Sequence, residues 1–541
     1  MKVADFFCGA GGFSEGLRIA GFDVVFGLDN WKPAIETHQL NHPEAAHHLG
    51  DILKIAVGDI DSVVPDTEVI VGSPPCVSFS YSNKAGKADK SLGVALIEKY
   101  LQIVAYKKHK KGSKLKYWLM ENVPNSADYV KDSYTFEELG LPGGDAVALQ
   151  VRVRNIFNAA DFGAPQTRTR FVCGDYPVPS KSVSEGNRVT MRQILDALGD
   201  PSGEAKGTVK DISWSFQTSR SDLTDHRYDT QVEDFEWKNA KRQKEDHGFM
   251  GKMSFPEYLD RPSRTVMATQ SAVSRESIIF GTSEPGMYRL PTIREIACFM
   301  SFPVTYQFEA GSEAAKYRLV GNAVCPKLSF ALGRAIADAE GSPESKPVFK
   351  SRKPSTDLTG TARKKSKSSR KISAKFQMHV PYLKVKSMRV DLDNVRSDFE
   401  AEKFVWRVVL HRGSGKKALH CTPRFADVER VMRKHRLDEL EAALIASFGK
   451  NLPSASAFQQ AHVANGGQGL NPEKALATIK SIVDRVFPES GYADVVVPAG
   501  ESAIAMGRAD LPIRVAAALY ACLWLVKGMA QPMKQLMVQV S

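Results

Sequence analysis

Val69-Ile70-Val71 runs directly into Gly72-Ser73-Pro74-Pro75-Cys76. Three consecutive β-branched apolar residues read as a strand buried on both faces, the signature of a parallel sheet. The two prolines then hold the backbone extended and stop any helix from starting. The chain is therefore expected to build an α/β fold. Cys76 would sit on a stiff loop at the carboxyl end of an inner strand, where such sheets place their chemistry. A small buried thiol without a chemical role is the competing reading of Cys76, and the remainder of the chain decides between the two.

The opening of the chain has the same logic. Val3-Ala4-Asp5-Phe6-Phe7 predicts a first strand, Cys8-Gly9-Ala10-Gly11-Gly12-Phe13 a glycine turn, and Ser14 to Ala20 a helix. Strand, glycine turn and helix open a doubly wound nucleotide-binding sheet, because glycine lets backbone approach a ligand and the helix N-terminus favours electronegative groups. A second strand, Asp23 to Leu28, ends in Asp29, placed to accept hydrogen bonds from ribose hydroxyls or else to serve as a solvated turn residue. Gly50-Asp51-Ile52 offers a carboxylate and an apolar surface suited to an adenine amine and ring. Leu92 to Tyr106 has helical apolar spacing, and Tyr117-Trp118-Leu119-Met120 predicts another buried strand ending in Glu121. Gln166, Arg168 and Arg170 alternate before the apolar strand Phe171-Val172-Cys173, so in extended chain they would share a face.

Charge and cysteine use narrow the class. The net charge of +12 suggests a polyanionic partner, but residues 343–375 alone hold 11 Lys and Arg against 2 Asp and Glu. Seven scattered cysteines without a CxxC pair argue for a reducing cytoplasm and against a disulfide framework or a structural zinc site. No signal peptide is expected, since Met1-Lys2-Val3 leads straight into the first strand. The longest apolar run, Val515 to Val526, is too short to span a bilayer, so no membrane role is expected.

Taken in order, these blocks resemble the DNA (cytosine-5) methyltransferase family. The family's glycine block, Pro-Cys, Glu-Asn-Val and Gln-x-Arg-x-Arg all recur. So does a late Gly-Asn, here in Arg318-Leu319-Val320-Gly321-Asn322-Ala323-Val324-Cys325-Pro326. The resemblance covers residues 1 to about 340 and departs at Ala323, where serine is commoner, and at Val77, where glutamine is common. It implies a Rossmann-like methyltransferase domain that adds the Cys76 thiolate to cytosine carbon 6, making carbon 5 nucleophilic. Glu121 would bind or protonate ring nitrogen 3, Arg170 would hold the cytosine carbonyl oxygen, and Arg168 would support the loop or a phosphate. The methyl donor implied is S-adenosylmethionine. Phe7 would contact its body, and Gly9, Gly11 and Gly12 would shape its pocket. Asp29 would bind ribose, Trp31 would pack on the adenosine, Asp51 and Ile52 would take adenine, and Pro75 and Leu96 would line the methionine end. Asn322 and Val324 would return beside strand one with a final helix. No metal is expected.

The partner implied is double-stranded DNA, whose target base must be flipped out of the stack. The loop Ser78 to Asp89 reads as a mobile lid, with Ser78, Ser80, Lys84 and Lys87 as DNA contacts, joined by Gln166. The domains expected are a methyltransferase domain in 1–175 and 261–342 and a target-recognition region in 176–260. The latter carries Trp214, Arg220, His226, Arg227, Tyr228, Trp237, Lys238, Lys241 and Arg242. A disordered basic linker is expected over 343–375 and an α+β or mostly helical domain over 376–541. That last domain is a candidate for DNA engagement, self-association or docking of a protein. The expected location is the cytoplasm, on the nucleoid if the source is prokaryotic. The same catalytic blocks would serve a tRNA cytosine-5 methyltransferase, and a non-catalytic DNA-binding protein with a relic fold is the alternative from another class.

Overall fold

The structure, a computed structural model, describes residues 1–75, 90–245, 253–344, 346–350, 352–363, 373–383, 385–413, 418–449, 452–464, 469–498 and 510–530. The chain forms two compact units, Met1–Val232 with Pro256–Arg363 and Glu233–Phe255 with Lys364–Ser541.

The first unit is built on β1 (Lys2–Phe6), β2 (Asp23–Asp29), β3 (Ala46–Leu49), β4 (Val69–Gly72) and β5 (Tyr117–Asn122). A side hairpin, β6 (Ser133–Thr135) and β7 (Ala148–Gln150), precedes β8 (Val153–Asn158) and β9 (Thr169–Asp175). The seven-stranded sheet has the order β3-β2-β1-β4-β5-β9-β8. β1 to β5 run parallel, whereas β9 is antiparallel to both β5 and β8. Every residue of β4 is buried, as the unbroken apolar run demands.

Strand alternation sends side chains to two cores. Val3, Val69, Val71 and Leu119 join Phe13 and Leu17 of α1 (Gly12–Ile19) on one face. Leu332 and Ile336 of α9 (Pro326–Ala339) complete that core. Ala4, Phe6, Ile70, Trp118 and Met120 meet Ile97, Tyr100, Leu101 and Val104 of α4 (Ser91–His109) on the other. The unit also contains α2 (Lys32–Asn41), α3 (Ile60–Val63), α5 (Met191–Leu198), α7 (Ile293–Phe299) and α8 (Glu313–Asn322). Two short hairpins, β10 (Thr208–Lys210) with β11 (Gln217–Ser219) and β12 (Phe280–Gly281) with β13 (Tyr288–Arg289), complete the unit.

Residues 176–260 do not act as one polar surface. His226 and Tyr228, expected among recognition residues, are buried against the start of α7. Tyr228 Oη accepts the Ile293 amide at 3.0 Å and His226 Nδ1 lies 3.2 Å from Thr292 Oγ1. Trp237, Lys238, Lys241 and Arg242 lie on α6 (Asp234–Glu245), which belongs to the second unit.

Part of the expected disordered linker is likewise folded. Phe349 stacks on Phe216 with centroids 4.1 Å apart. Lys316 and Asp225, both fully buried, pair at 2.8 Å; Asp225 also accepts the Leu358 amide at 3.0 Å, and Lys316 donates to the Thr356 carbonyl at 2.6 Å. A buried ion pair needs all its remaining hydrogen-bonding capacity met, and residues 356–358 meet it. Composition averaged over 343–375 cannot register so few specific anchors.

The second unit carries a four-stranded antiparallel sheet, β14 (Gln377–His379), β15 (Met388–Asp393), β16 (Arg407–Arg412) and β17 (Leu419–Cys421). Its helices are α6, α10 (Phe425–Met432), α11 (Leu437–Phe448), α12 (Ala455–Ala464), α13 (Pro472–Val486), α14 (Glu489–Tyr492) and α15 (Ile513–Met529). A hairpin, β18 (Val496–Pro498) with β19 (Asp510–Pro512), leads into α15. The long apolar run is α15, which packs on α10, α13, β15 and β16 and is the centre of this unit's own core. Among the described residues, no helix is long and apolar enough to cross a membrane.

Candidate active site

Five parallel strands bring their carboxyl ends to one edge, and the loops leaving those ends build the site. Ser73, just past β4, donates its amide to the Phe6 carbonyl at 3.1 Å and its hydroxyl to the Phe7 carbonyl at 3.1 Å. Asn122, at the tip of β5, donates Nδ2 to the Pro74 carbonyl at 3.0 Å. The Pro74-Pro75 segment is thereby tied to the ends of β1 and β5. Phe7 follows β1 with φ 54°, a left-handed conformation rare for a bulky residue and stored where the surroundings enforce it.

A cavity of about 180 Å³ opens at this edge. Phe7, Gly9, Asp29, Trp31, Asp51 and Ile52 line one part of it. Pro75, Leu96, Glu121, Arg168, Arg170 and Asn322 line another part. Residues separated by more than 300 positions in sequence thus face a single space.

The charged groups are already organised. Asp29 accepts the Gly9 amide at 3.0 Å and the Trp31 amide at 2.9 Å, so it fixes the glycine turn, while burial raises its pKa above the usual carboxylate range. Asp51 caps a helical turn by accepting the Leu53 amide at 3.0 Å. Glu121 and Arg170 pair at 2.9 Å, both largely buried. Burial raises the Glu121 pKa, and the Arg170 and Arg168 guanidiniums oppose that rise. Arg168 turns away from any exposed phosphate: only 3% exposed, it donates to the carbonyls of Val266, Gly321 and Ala323 at 3.2, 2.9 and 3.1 Å.

Three residues expected at the cofactor instead sit behind the cavity wall. Gly11 has φ 82°, and a Cβ there would meet His42 Nε2 at 3.2 Å. A Cβ on Gly12 would strike the Val324 carbonyl oxygen. Gly11, Gly12 and Val324 therefore let the turn and the late segment close on each other rather than line the space. Gln166 is fully buried, and its side-chain amide has no hydrogen-bond partner among the described residues. The backbone on either side of Gln166 pairs with Ser263, which arrives from the later chain. Cys76, Ser78, Ser80, Lys84 and Lys87 lie outside the described residues. Arg318 and Ser73 line the cavity without having been assigned a role from sequence. For Arg318 the available signal is its position one helical turn before Asn322.

The chain is similar to known proteins. The chain is 29% identical over 360 residues to the type II methyltransferase M.MthTI of Methanothermobacter thermautotrophicus, covering 63% of this chain and 98% of that protein. It is 26% identical over 385 residues to M.DdeI of Desulfomicrobium norvegicum, covering 62% and 88%. Solved structures similar to it include a putative DNA modification methyltransferase encoded within an E. coli prophage, at 21% identity and TM-score 0.43 over 63% of this chain and all of that one. Another is S. pombe Dnmt2, at 19% identity and TM-score 0.42, over 63% and 99%. The segment that matches the C-5 cytosine-specific DNA methylase family, residues 1–338, contains every strand whose tip forms the cavity, and the chain belongs to that family of DNA cytosine-5 methyltransferases.

Proposed function

We propose that the cavity at the strand tips holds S-adenosylmethionine beside a cytosine flipped out of double-stranded DNA, with Cys76 as the covalent nucleophile. The observation that carries this reading is the convergence of Pro75, Glu121 and Arg170 on the same space as Phe7, Asp29 and Trp31. The donor set suits the cofactor: carboxylates at Asp29 and Asp51 for ribose hydroxyls and an adenine amine, with apolar surface from Trp31 and Ile52. When bound, S-adenosylmethionine supplies an electrophilic methyl group.

The residues of the chain do the rest. The Cys76 thiolate adds to cytosine carbon 6, forming a carbon–sulfur bond and pushing electrons to carbon 5, which becomes able to accept the methyl. Glu121, whose pKa burial raises against the pull of Arg170 and Arg168, donates toward ring nitrogen 3 and relieves the charge developing there. Arg170 keeps that carboxyl oriented and offers its guanidinium to the base. Loss of the carbon 5 proton then expels the thiolate. The type II methyltransferase names of the relatives favour a place in restriction-modification.

The test is methyl transfer to DNA by wild type and Cys76→Ala, with bisulfite sequencing of host DNA to read the marked sites. Wild type is expected to transfer, and to form a covalent adduct on DNA containing 5-fluorocytosine, where the proton cannot leave. The variant is expected to do neither while binding DNA. Full activity in Cys76→Ala overturns the assignment.

A further inference from the structure

Four side chains from four elements form one hydrogen-bonded line. Oδ2 of Asp5 in β1 lies 2.7 Å from Oγ of Ser14 in α1. Ser14 Oγ lies 2.9 Å from Nε2 of His38 in α2, and His38 Nδ1 lies 2.9 Å from Nε2 of His47 in β3. The first three are fully buried, whereas His47 is half-buried on the edge strand of the sheet. A hydroxyl carries one proton, and a neutral imidazole has one N–H and one bare nitrogen. The protonation of Asp5 therefore orders the whole line. Asp5 Oδ1 is buried with no hydrogen-bond partner among the described residues, so a bonded proton on this carboxyl sits on Oδ2. Asp5 then donates to Ser14, Ser14 to His38 Nε2, and His38 Nδ1–H to His47 Nε2. With Asp5 ionised every donor reverses, and His38 and His47 both hold their proton on Nε2.

We propose that this line is a proton relay through which the buried Asp5 exchanges its proton with solvent at His47. On ionisation the Asp5 Oδ2–H bond breaks as that proton passes to Ser14, and Ser14 gives its own to His38 Nε2. His38 then gives its Nδ1 proton to His47 Nε2, and His47 releases its Nδ1 proton to water. One proton leaves, no electron is transferred, and all three hydrogen bonds are kept. Burial holds Asp5 protonated up to about 7 and keeps His38 from a second proton until about 3, so both orders are reached near neutral pH. Burial also lowers the His47 pKa, which favours release of the proton it receives. Cys8, Asp29 and Tyr100 lie near Asp5; burial keeps the thiol and the phenol protonated, and the Asp29 oxygens are taken by the Gly9 and Trp31 amides. Beside His38 stands His42, its ring centre 4.7 Å away and kept neutral by burial. His42 in turn faces Glu15 at 3.8 Å and Tyr306 Oη at 3.4 Å, with Arg18 bound to Glu15 and Arg352 nearby. β1 and β3 lead into Phe7 and Asp51 at the cavity, so the frame of the cavity keeps its bonds while Asp5 titrates. The competing account is a static set of buried hydrogen bonds with His38 in a single tautomer.

The two accounts separate in ring-nitrogen NMR of the full chain carrying isotope-labelled histidine, followed across neutral pH. The His38–His47 pair is recognised by the nitrogen–nitrogen coupling across its shared hydrogen bond, and His47 by the loss of its signals in His47→Gln. In wild type the donor of that bond is expected to change from His38 Nδ1 to His47 Nε2 as pH rises, with a midpoint near 7 and no imidazolium at His38. Asp5→Asn, which cannot ionise, is expected to hold the pair in one order at every pH. Ser14→Ala, which cuts the line while only shortening a small buried side chain, is expected to abolish the change as well. A His38 tautomer that stays fixed in wild type overturns the relay, and this measurement needs no variant to fold. A reversal that persists in Asp5→Asn or in Ser14→Ala assigns the proton to another group and overturns it equally.

Discussion

Asp5 lies in β1, fully buried, and accepts the Ser14 hydroxyl at 2.7 Å. His38, also fully buried, has Nε2 at 2.9 Å from Ser14 Oγ and Nδ1 at 2.9 Å from His47 Nε2. Burial pushes Asp5 up from 3.8 to about 7, and pushes His38 down from 6.5 to about 3. The two have opposite consequences for stability. Through His38, the unfolded chain binds a proton that the folded chain refuses, so stability falls as pH drops from 6.5 toward 3. Through Asp5, the folded chain keeps a proton that the unfolded chain has released, so stability falls as pH rises from 3.8 to about 7. Between pH 3.8 and 6.5 the terms offset. Asp5→Asn removes one of them. Unfolding free energies from urea titrations between pH 4 and 6.5 are expected to rise with pH more steeply in the variant, by about 1.4 kcal/mol per unit. Parallel curves for wild type and variant would refute the offset. Sequence marks Asp5 only as a strand residue, because its burial and its histidine neighbour come from packing.

At the scale of the element, α1 and α9 show how a late helix completes an early motif. Their axes come close because Gly16 and Gly333 face the contact. A Cβ on Gly16 would lie 2.6 Å from Phe330 N and against the Pro326 carbonyl, and one on Gly333 would lie 2.9 Å from Leu17 Cδ2. The obstacles at Gly16 are backbone and cannot swing aside. Alanine normally favours a helix over glycine by about 1 kcal/mol, so an exposed site would gain. Here overpacking dominates, and Gly16→Ala is expected to lower the unfolding free energy by about 2 kcal/mol in urea titration. An unchanged or raised midpoint would mean the helices part without cost. The start of α1 was legible from the glycine turn. The need for glycine at position 16 was not, since the atoms it accommodates lie more than 300 residues later.

For the whole molecule, the charge shift near residue 343 points to a cut there, leaving 1–342 as a separable enzyme. The structure moves that boundary in two ways. Residues 355–358 complete the Lys316–Asp225 site, with Ser355 and Thr356 also bonded to Glu309. Removing them leaves a buried pair short of its partners, which costs several kcal/mol. Fragment 1–342 is therefore expected to give less soluble protein than 1–363. In the other direction, α6 is encoded inside the first unit yet belongs to the second, with Ala240 and Lys244 fully buried. Fragment 364–541 alone is expected to be poorly folded, and to gain native near-ultraviolet circular dichroism when 233–255 is fused to it. A well-folded 364–541 without that helix would show that α6 is dispensable.

The parallel strands, the glycine turn, Pro75, Glu121 and the acidic tips at Asp29 and Asp51 were determined by the sequence itself. Each depends on local rules: β-branched runs make buried strands, and parallel strands end at one edge, so residues placed just after them share a space. What only the tertiary structure decided depends on distant chain. It buried Gln166 and turned Arg168 inward onto backbone carbonyls. It placed Gly11, Gly12 and Val324 behind the cavity, set Arg318 on Trp31, and gave α6 to the second unit. A residue's local pattern states which face it can occupy, but only the segment that arrives opposite that face determines whether it meets solvent, ligand or core.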